Sequence, residues 1–204
     1  MGAPAAGRRG PGPAVGAILA GGKGSRIGGA KALADLAGRP LISYPLAAFA
    51  SAGLEPIVVA KRDSELPPLD CPVIREPALP RHPLCGIVAA LRHAGRRTLV
   101  VVGCDMPFVE AELLAWLGTT PEPLVVPRLG EDLQPLPARY DSALLPALEK
   151  ALAGGRALRP TLESLQPRTI AAAELARFGE PRRICFNVNS RADLRRAEEL
   201  LARS

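Results

Sequence analysis

Residues 15–31 read V-G-A-I-L-A-G-G-K-G-S-R-I-G-G-A-K. A short apolar run ends in a loop with five glycines, and the loop carries Lys23, Arg26 and Lys31. Glycine has no Cβ, so its backbone N–H can approach a ligand closely. Amides gathered in this way, with cations beside them, form a concave nest for a polyphosphate. The stretch predicts a buried strand over Val15–Ala20 and then a nucleotide-binding loop. An ordinary surface loop is the competing expectation.

Two familiar phosphate loops do not fit. A Walker A loop needs G-x-x-x-x-G-K-[ST], but Gly24–Lys31 has Ala30 at the lysine position and no hydroxyl after Lys31. A dinucleotide fingerprint needs G-x-G-x-x-G and an acidic residue about 20 positions on at a strand end. Gly22, Gly24 and Gly28 are spaced one residue too far apart, Asp35 comes too early and Glu55 follows a helical stretch.

Outward from the loop, strand and helix patterns alternate. Strands are expected at 56–60, 72–74, 98–102, 124–127 and 184–188, with a further one possible at 137–140. Helices are expected at 41–52, 86–94, 110–117, 142–153 and 191–202. Thr98–Val102 is an unbroken apolar run of the kind found in a central parallel strand. The pattern predicts an α/β three-layer sandwich with a mostly parallel sheet. Ligands of such sheets bind beyond the carboxyl ends of the strands, so residues just after strands are the ones to inspect.

Composition sets the limits. The chain has 204 residues, 48% hydrophobic and 23% charged, enough for one domain over 14–204 with a sizeable core. Residues 1–13 read as a disordered tail, because no apolar segment follows their basic residues. No apolar run approaches the roughly 18 residues of a membrane span, so no membrane partner is expected. The net charge is +6, carried largely by scattered arginines such as Arg39, Arg62, Arg92, Arg128 and Arg139. Without interleaved aromatics these point to an anionic small substrate rather than nucleic acid. Cys71, Cys85, Cys104 and Cys185 lack C-x-x-C spacing. They are expected to be reduced, mostly buried thiols of a cytoplasmic protein, not zinc ligands.

Asp105 is the leading chemical candidate. In V-V-V-G-C-D-M-P it follows the strongest strand, where one carboxylate with substrate phosphates can hold Mg²⁺. A helix N-cap is its plainer role. Lys31 and Arg26 suit phosphate, though each taken alone reads first as an exposed surface cation. Glu76 follows the strand at 73–74, and Asn187 and Asn189 close the segment F-N-V-N-S. Their amides can bind a ligand or simply cap a turn. No G-x-S-x-G is present, and the cysteines lack a histidine partner. The remaining set suits phosphoryl or nucleotidyl transfer, which depends on positioning and charge neutralisation.

Six segments in order resemble the molybdenum cofactor guanylyltransferases, the MobA-like NTP transferase family. They are L-A-G-G-K-G-S-R-I-G-G-A-K (19–31), G-R-P-L (38–41), H-P-L-C-G-I (82–87), V-G-C-D-M-P (102–107), Q-P-L-P-A-R-Y (134–140) and F-N-V-N-S (186–190). The resemblance runs from about Val15 to Ala202 and implies a Rossmann-like nucleotidyltransferase fold. It implies transfer of GMP from GTP to Mo-molybdopterin, with Mg²⁺ as cofactor and pyrophosphate released. It places Leu19, Ala20, Gly21 and Gly22 in the nucleotide loop, with Arg26 in the same signature. It makes Lys31 and Glu76 nucleotide contacts, Asp105 the metal and nucleotide ligand, and Asn187 and Asn189 neighbours of the pterin. It also implies passing contact with molybdenum insertion proteins and acceptor enzymes.

The chain departs from the family in three places. Ala30 replaces the usual acid before Lys31, Glu76 stands where many members have Asp, and Ala60 stands where some have a nucleotide-contacting Asn. Molybdopterin cytidylyltransferases, which use CTP, generally have L-A-A-G, whereas Gly21 leaves room and free backbone polar groups for a purine. A sugar-nucleotide pyrophosphorylase is usually longer, and a non-catalytic GTP-binding delivery module would not need Asp105 and Lys31.

Overall fold

The computed structural model describes residues 12–22, 24, 27 and 29–203. Arg26 and nearly all of the expected tail therefore lie outside the described residues.

The central strand is β1 (Val15–Leu19), whose side chains are almost wholly buried. It pairs in parallel with β4 (Glu55–Lys61) on one side and β6 (Leu99–Gly103) on the other. Between β1 and β4 lie a small hairpin, β2 (Asp35–Leu36) with β3 (Arg39–Pro40), and helix α1 (Ser43–Ser51). β5 (Val73–Glu76) extends the sheet beyond β4, again in parallel. Beyond β6 come β9 (Ala138–Tyr140), β7 (Leu124–Leu129) and β10 (Arg168–Ala171), with β8 (Asp132–Leu133) paired to β7. β9 runs antiparallel to both β6 and β7, while β10 is parallel to β7. The sheet is thus mostly parallel, as expected.

Two buried clusters on opposite faces make three layers. One joins Ile18, Val58 and Val102 to α1 and to α3 (Ala111–Thr119). Packing there is tight: a Cβ on Gly16 would sit 2.5 Å from the Phe49 ring. The other joins Val15, Ala17 and Val101 to α2 (Pro83–Ala94), α4 (Leu145–Ala153) and α5 (Leu158–Ser164). Strands with one buried face per layer have to be apolar throughout, which is why the runs at 57–60 and 99–102 are unbroken.

Several local expectations are corrected. Residues 184–188 are not a strand. Short helices α6 (Ala172–Leu175) and α7 (Pro181–Ile184) precede them, with Glu180 accepting from the Arg182 and Arg183 amides. The segment then runs back over the sheet edge, and the Val188 N–H donates to the Asp105 carbonyl. A third cluster holds it, joining Val188 and Phe108 to Leu36, Leu41 and Ala197 of α8 (Arg191–Ala202). Asp141, not Ser142, caps the 142–153 helical stretch, accepting from the Ala143 amide at 2.9 Å. Arg139 is buried and donates to the carbonyls of Leu117, Gly118 and Glu122. It ties β9 to the end of α3 and to the loop beyond it. Among the described residues no helix is long and apolar enough to cross a membrane.

Candidate nucleotide site

The chain leaves β1 to build β4 and β5 on one side, then crosses through α2 to β6 on the other. That reversal opens a crevice at the carboxyl ends of β1 and β6. A cavity of about 390 Å³ lies there, bounded by Leu19 at the end of β1, Gly21 and Gly22 after it, Lys61 of β4, Glu76 of β5 and Asp105 after β6.

The glycine loop closes tightly on itself. Gly24 adopts φ +60°, and its carbonyl accepts from the Ile27 and Gly29 amides. A Cβ at Gly24 would lie 1.9 Å from the Gly29 oxygen, so only glycine fits this turn. The turn delivers Lys31 to the crevice. Its ammonium donates to Asp105 Oδ2 at 2.5 Å and to Asn189 Oδ1 at 2.6 Å. Three residues from distant parts of the chain thus meet at one point. Asp105 reaches it by folding over Gly103, where an added Cβ would stand 2.2 Å from Oδ1. Among the described residues Oδ1 itself accepts no hydrogen bond. Asp105 is not a helix cap: α3 begins six residues later, after Glu110.

Glu76 is the last residue of β5, opposite Lys61 in register. The two form an ion pair at 3.2 Å with side-chain exposures of 9% and 3%, and Lys61 also donates to the Pro80 carbonyl. Such burial is tolerable only because each charge has a partner. Strand alternation sends Val59 and Lys61 to the cavity and Ala60 to the opposite core, where it is fully buried. A side chain at 60 therefore faces the core and not the crevice.

Asn187 is not part of the group around Lys31. Its amide donates to the Cys185 carbonyl and shapes the turn that presents Asn189. The Gly21 carbonyl is already engaged, accepting from Arg81 Nη1 at 2.8 Å. Space at Gly21 does remain: a Cβ there would make an ordinary 3.4 Å contact with Lys61.

Sequence reasoning missed Lys61, Arg81 and His82. Lys61 ends a strand, so inspection of strand ends could have found it. His82 caps α2, its Nδ1 accepting from the Leu84 amide at 3.2 Å. That leaves Nε2 to carry the proton of the neutral ring. The first turn of α2 borders the cavity through Pro83 and Gly86, and a helix N-terminus favours an anion. Cys104, beside Asp105, is fully buried, and burial followed by the Asp105 charge pushes its thiol pKa far up. It stays a protonated thiol and is no nucleophile.

The MobA-like NTP transferase domain family model matches residues 16–197. A molybdenum cofactor guanylyltransferase from Cereibacter sphaeroides is 34% identical over 193 residues, covering 91% of this chain and 96% of that protein. The solved molybdopterin-guanine dinucleotide biosynthesis protein A from Archaeoglobus fulgidus superposes with a TM-score of 0.79 at 29% identity, covering 93% of this chain and 99% of that one. A Mycobacterium tuberculosis protein solved in complex with manganese shares the fold, with a TM-score of 0.65 at 17% identity over 92% of this chain and 98% of its own.

Proposed function

The chain belongs to the MobA-like NTP transferase family, and on that premise we propose that it transfers GMP from GTP to Mo-molybdopterin. The products are the guanine dinucleotide form of the cofactor and pyrophosphate. The observation that carries this reading is the meeting of Lys31, Asp105 and Asn189 at the crevice beside the glycine loop.

A phosphate oxygen of the pterin forms a bond to the GTP α-phosphorus as the bond to the β-phosphate breaks. No side-chain nucleophile is needed. The apolar walls of the cavity, Leu19, Val59 and Leu136, suit the base and ribose. Gly22 and the first turn of α2 border the same space and suit the phosphates. Lys31 neutralises charge on the departing pyrophosphate, and Asn189 holds its ammonium in place. Arg26 belongs to this phosphate set by its place in the loop. Glu76 contacts the nucleotide from the far wall.

The residues present fit a hard divalent cation, which we take to be Mg²⁺. Asp105 Oδ1 is an oxygen donor with no hydrogen bond among the described residues, and it borders the cavity. Such an ion, when bound, supplies charge neutralisation at phosphate oxygens. Lys31 is the resident counter-ion of the same carboxylate.

Turnover with GTP, CTP and ATP, each with Mg²⁺ and molybdopterin, tests the proposal. GTP is the expected substrate, with Asp105→Ala inactive and Lys31→Ala severely impaired in GTP use. Preference for CTP overturns the guanylyl assignment. Binding of GTP without product favours a cofactor-delivery role.

A further inference from the structure

Arg81 lies in the segment between β5 and α2 and belongs to none of the motifs quoted above. It borders two cavities at once. One is the crevice of about 390 Å³ that Asp105 faces. The other is a more polar space of about 250 Å³ bounded by Gly29, Ala30 and Lys31. Gly22 also borders both, so Arg81 and Gly22 form the waist between them. A chain of phosphates that extends from the crevice into the second space passes this waist.

The bonding of the guanidinium is incomplete. Nη1 donates to the Gly21 carbonyl at 2.8 Å, and Nη2 pairs with the Asp63 carboxylate. Nε is buried and has no hydrogen-bond partner among the described residues. Nε and Nη2 share one edge of the planar group, the edge that grips two oxygens of a phosphate or carboxylate. Half of that edge is unpartnered among the described residues, and the other half is held by Asp63, whose side chain is 51% exposed. An exposed carboxylate gives up such a pair at little cost. An unpaired buried N–H of a cation is, by contrast, costly to leave unmade.

We propose that Arg81 binds the β- and γ-phosphates of the nucleoside triphosphate at the waist between the two cavities. Nε–H and Nη2–H take two phosphate oxygens, Asp63 lets go, and Nη1 stays on Gly21. The same side chain then fixes the glycine loop and the ligand. This rests on the nucleotidyl-transfer reading above.

Calorimetric binding of GTP and GMP with Mg²⁺ to the full chain separates the two ideas. Arg81→Gln is expected to weaken GTP binding about 10- to 100-fold while GMP binding changes by no more than about twofold. Arg81→Lys keeps the charge and loses the fork, so about 3- to 10-fold weaker GTP binding is expected at unchanged GMP affinity. It also serves if the glutamine variant fails to fold. Asp63→Asn removes the competitor and is expected to leave GTP binding equal or several-fold tighter. Absence of GTP binding by the unaltered chain overturns both readings. GTP binding by Arg81→Gln or Arg81→Lys equal to that of the unaltered chain overturns the Arg81 assignment alone. So does equal weakening of GTP and GMP, which marks a residue that merely shapes the loop, and so does tenfold weaker GTP binding in Asp63→Asn.

Discussion

Gly103→Ala tests the placement of Asp105 without altering any charge. A Cβ built at residue 103 meets Asp105 Oδ1 at 2.2 Å and Met106 Cγ at 3.4 Å. Contacts of a Cβ essentially never fall below 3.0 Å, so the carboxylate has to retreat by at least about 0.8 Å (3.0 − 2.2). Oδ1 is the end of a rotatable side chain, so Asp105 turns and the backbone stays. An off-rotamer aspartate costs about 1 kcal/mol, which lowers the melting midpoint of a chain this size by about 2–4 °C. The functional cost is much larger. The same rotation pulls Oδ2 off the Lys31 ammonium, now 2.5 Å away. Misplacement of a reacting group by about 1 Å can cost about 100-fold in rate. The assay is guanylyl transfer by the variant beside its thermal midpoint, with Mn²⁺ affinity measured in the presence of GTP. Turnover is expected to fall about 100-fold in a folded protein, with weakened Mn²⁺ binding. A folded Gly103→Ala protein with near-normal turnover would refute the reasoning, because the carboxylate would then need no fixed position.

Three further outcomes follow from the packing. Lys61→Met strands the buried Glu76 charge and is expected to cost about 3–5 kcal/mol in urea unfolding; adding Glu76→Leu should recover most of it, and a single-variant loss below about 1 kcal/mol would count against a tight pair. Gly16→Ala drives a methyl to 2.5 Å from the Phe49 ring, so a loss of about 1–3 kcal/mol is expected, with partial rescue by Phe49→Leu; unchanged stability would mean that α1 does not press on β1. Burial raises the Cys104 and Cys185 thiols, the latter to about 12, and Cys71 is raised too. At pH 8 a thiol-specific reagent should therefore label half-buried Cys71 slowly and the other three only after unfolding; rapid labelling of several thiols would contradict the burial. The unfolded chain loses these protons first, near the ordinary 9.0, so their contribution to stability is complete below that pH and is lost as pH rises towards 12.

Much of the site was legible because it is carried by local pattern. The glycine loop, the strand before it and Asp105 after the strongest strand all follow from short-range sequence. The errors have physical causes. The run at 184–188 looks like a strand, but Pro181 and the Glu180 cap start a helical turn instead, and the following residues pair with Asp105 rather than with a sheet. Ala60 drew notice only through the resemblance, as the place of an Asn in some relatives; strand alternation turned it inward. Arg139 counted among the scattered arginines that pointed to an anionic substrate, whereas carbonyls at the end of α3 and in the loop beyond it gave it buried partners.

By itself the sequence determined the alternation of strands and helices and the glycine-rich turn after the first strand, because hydrophobic period and glycine spacing act over a few residues; the family came from the resemblance of six segments in order along the chain. Only the tertiary structure decided what Lys31 touches. Its two partners lie 74 and 158 residues away in the chain. They meet because β1 and β6 are neighbours in the sheet and because α8 and the hairpin clamp residues 185–189 across its edge. The buried Lys61–Glu76 pair and the strap of Arg81 across Gly21 have the same origin. Each depends on which strand lies beside which and on where a connection closes, and no local propensity specifies that.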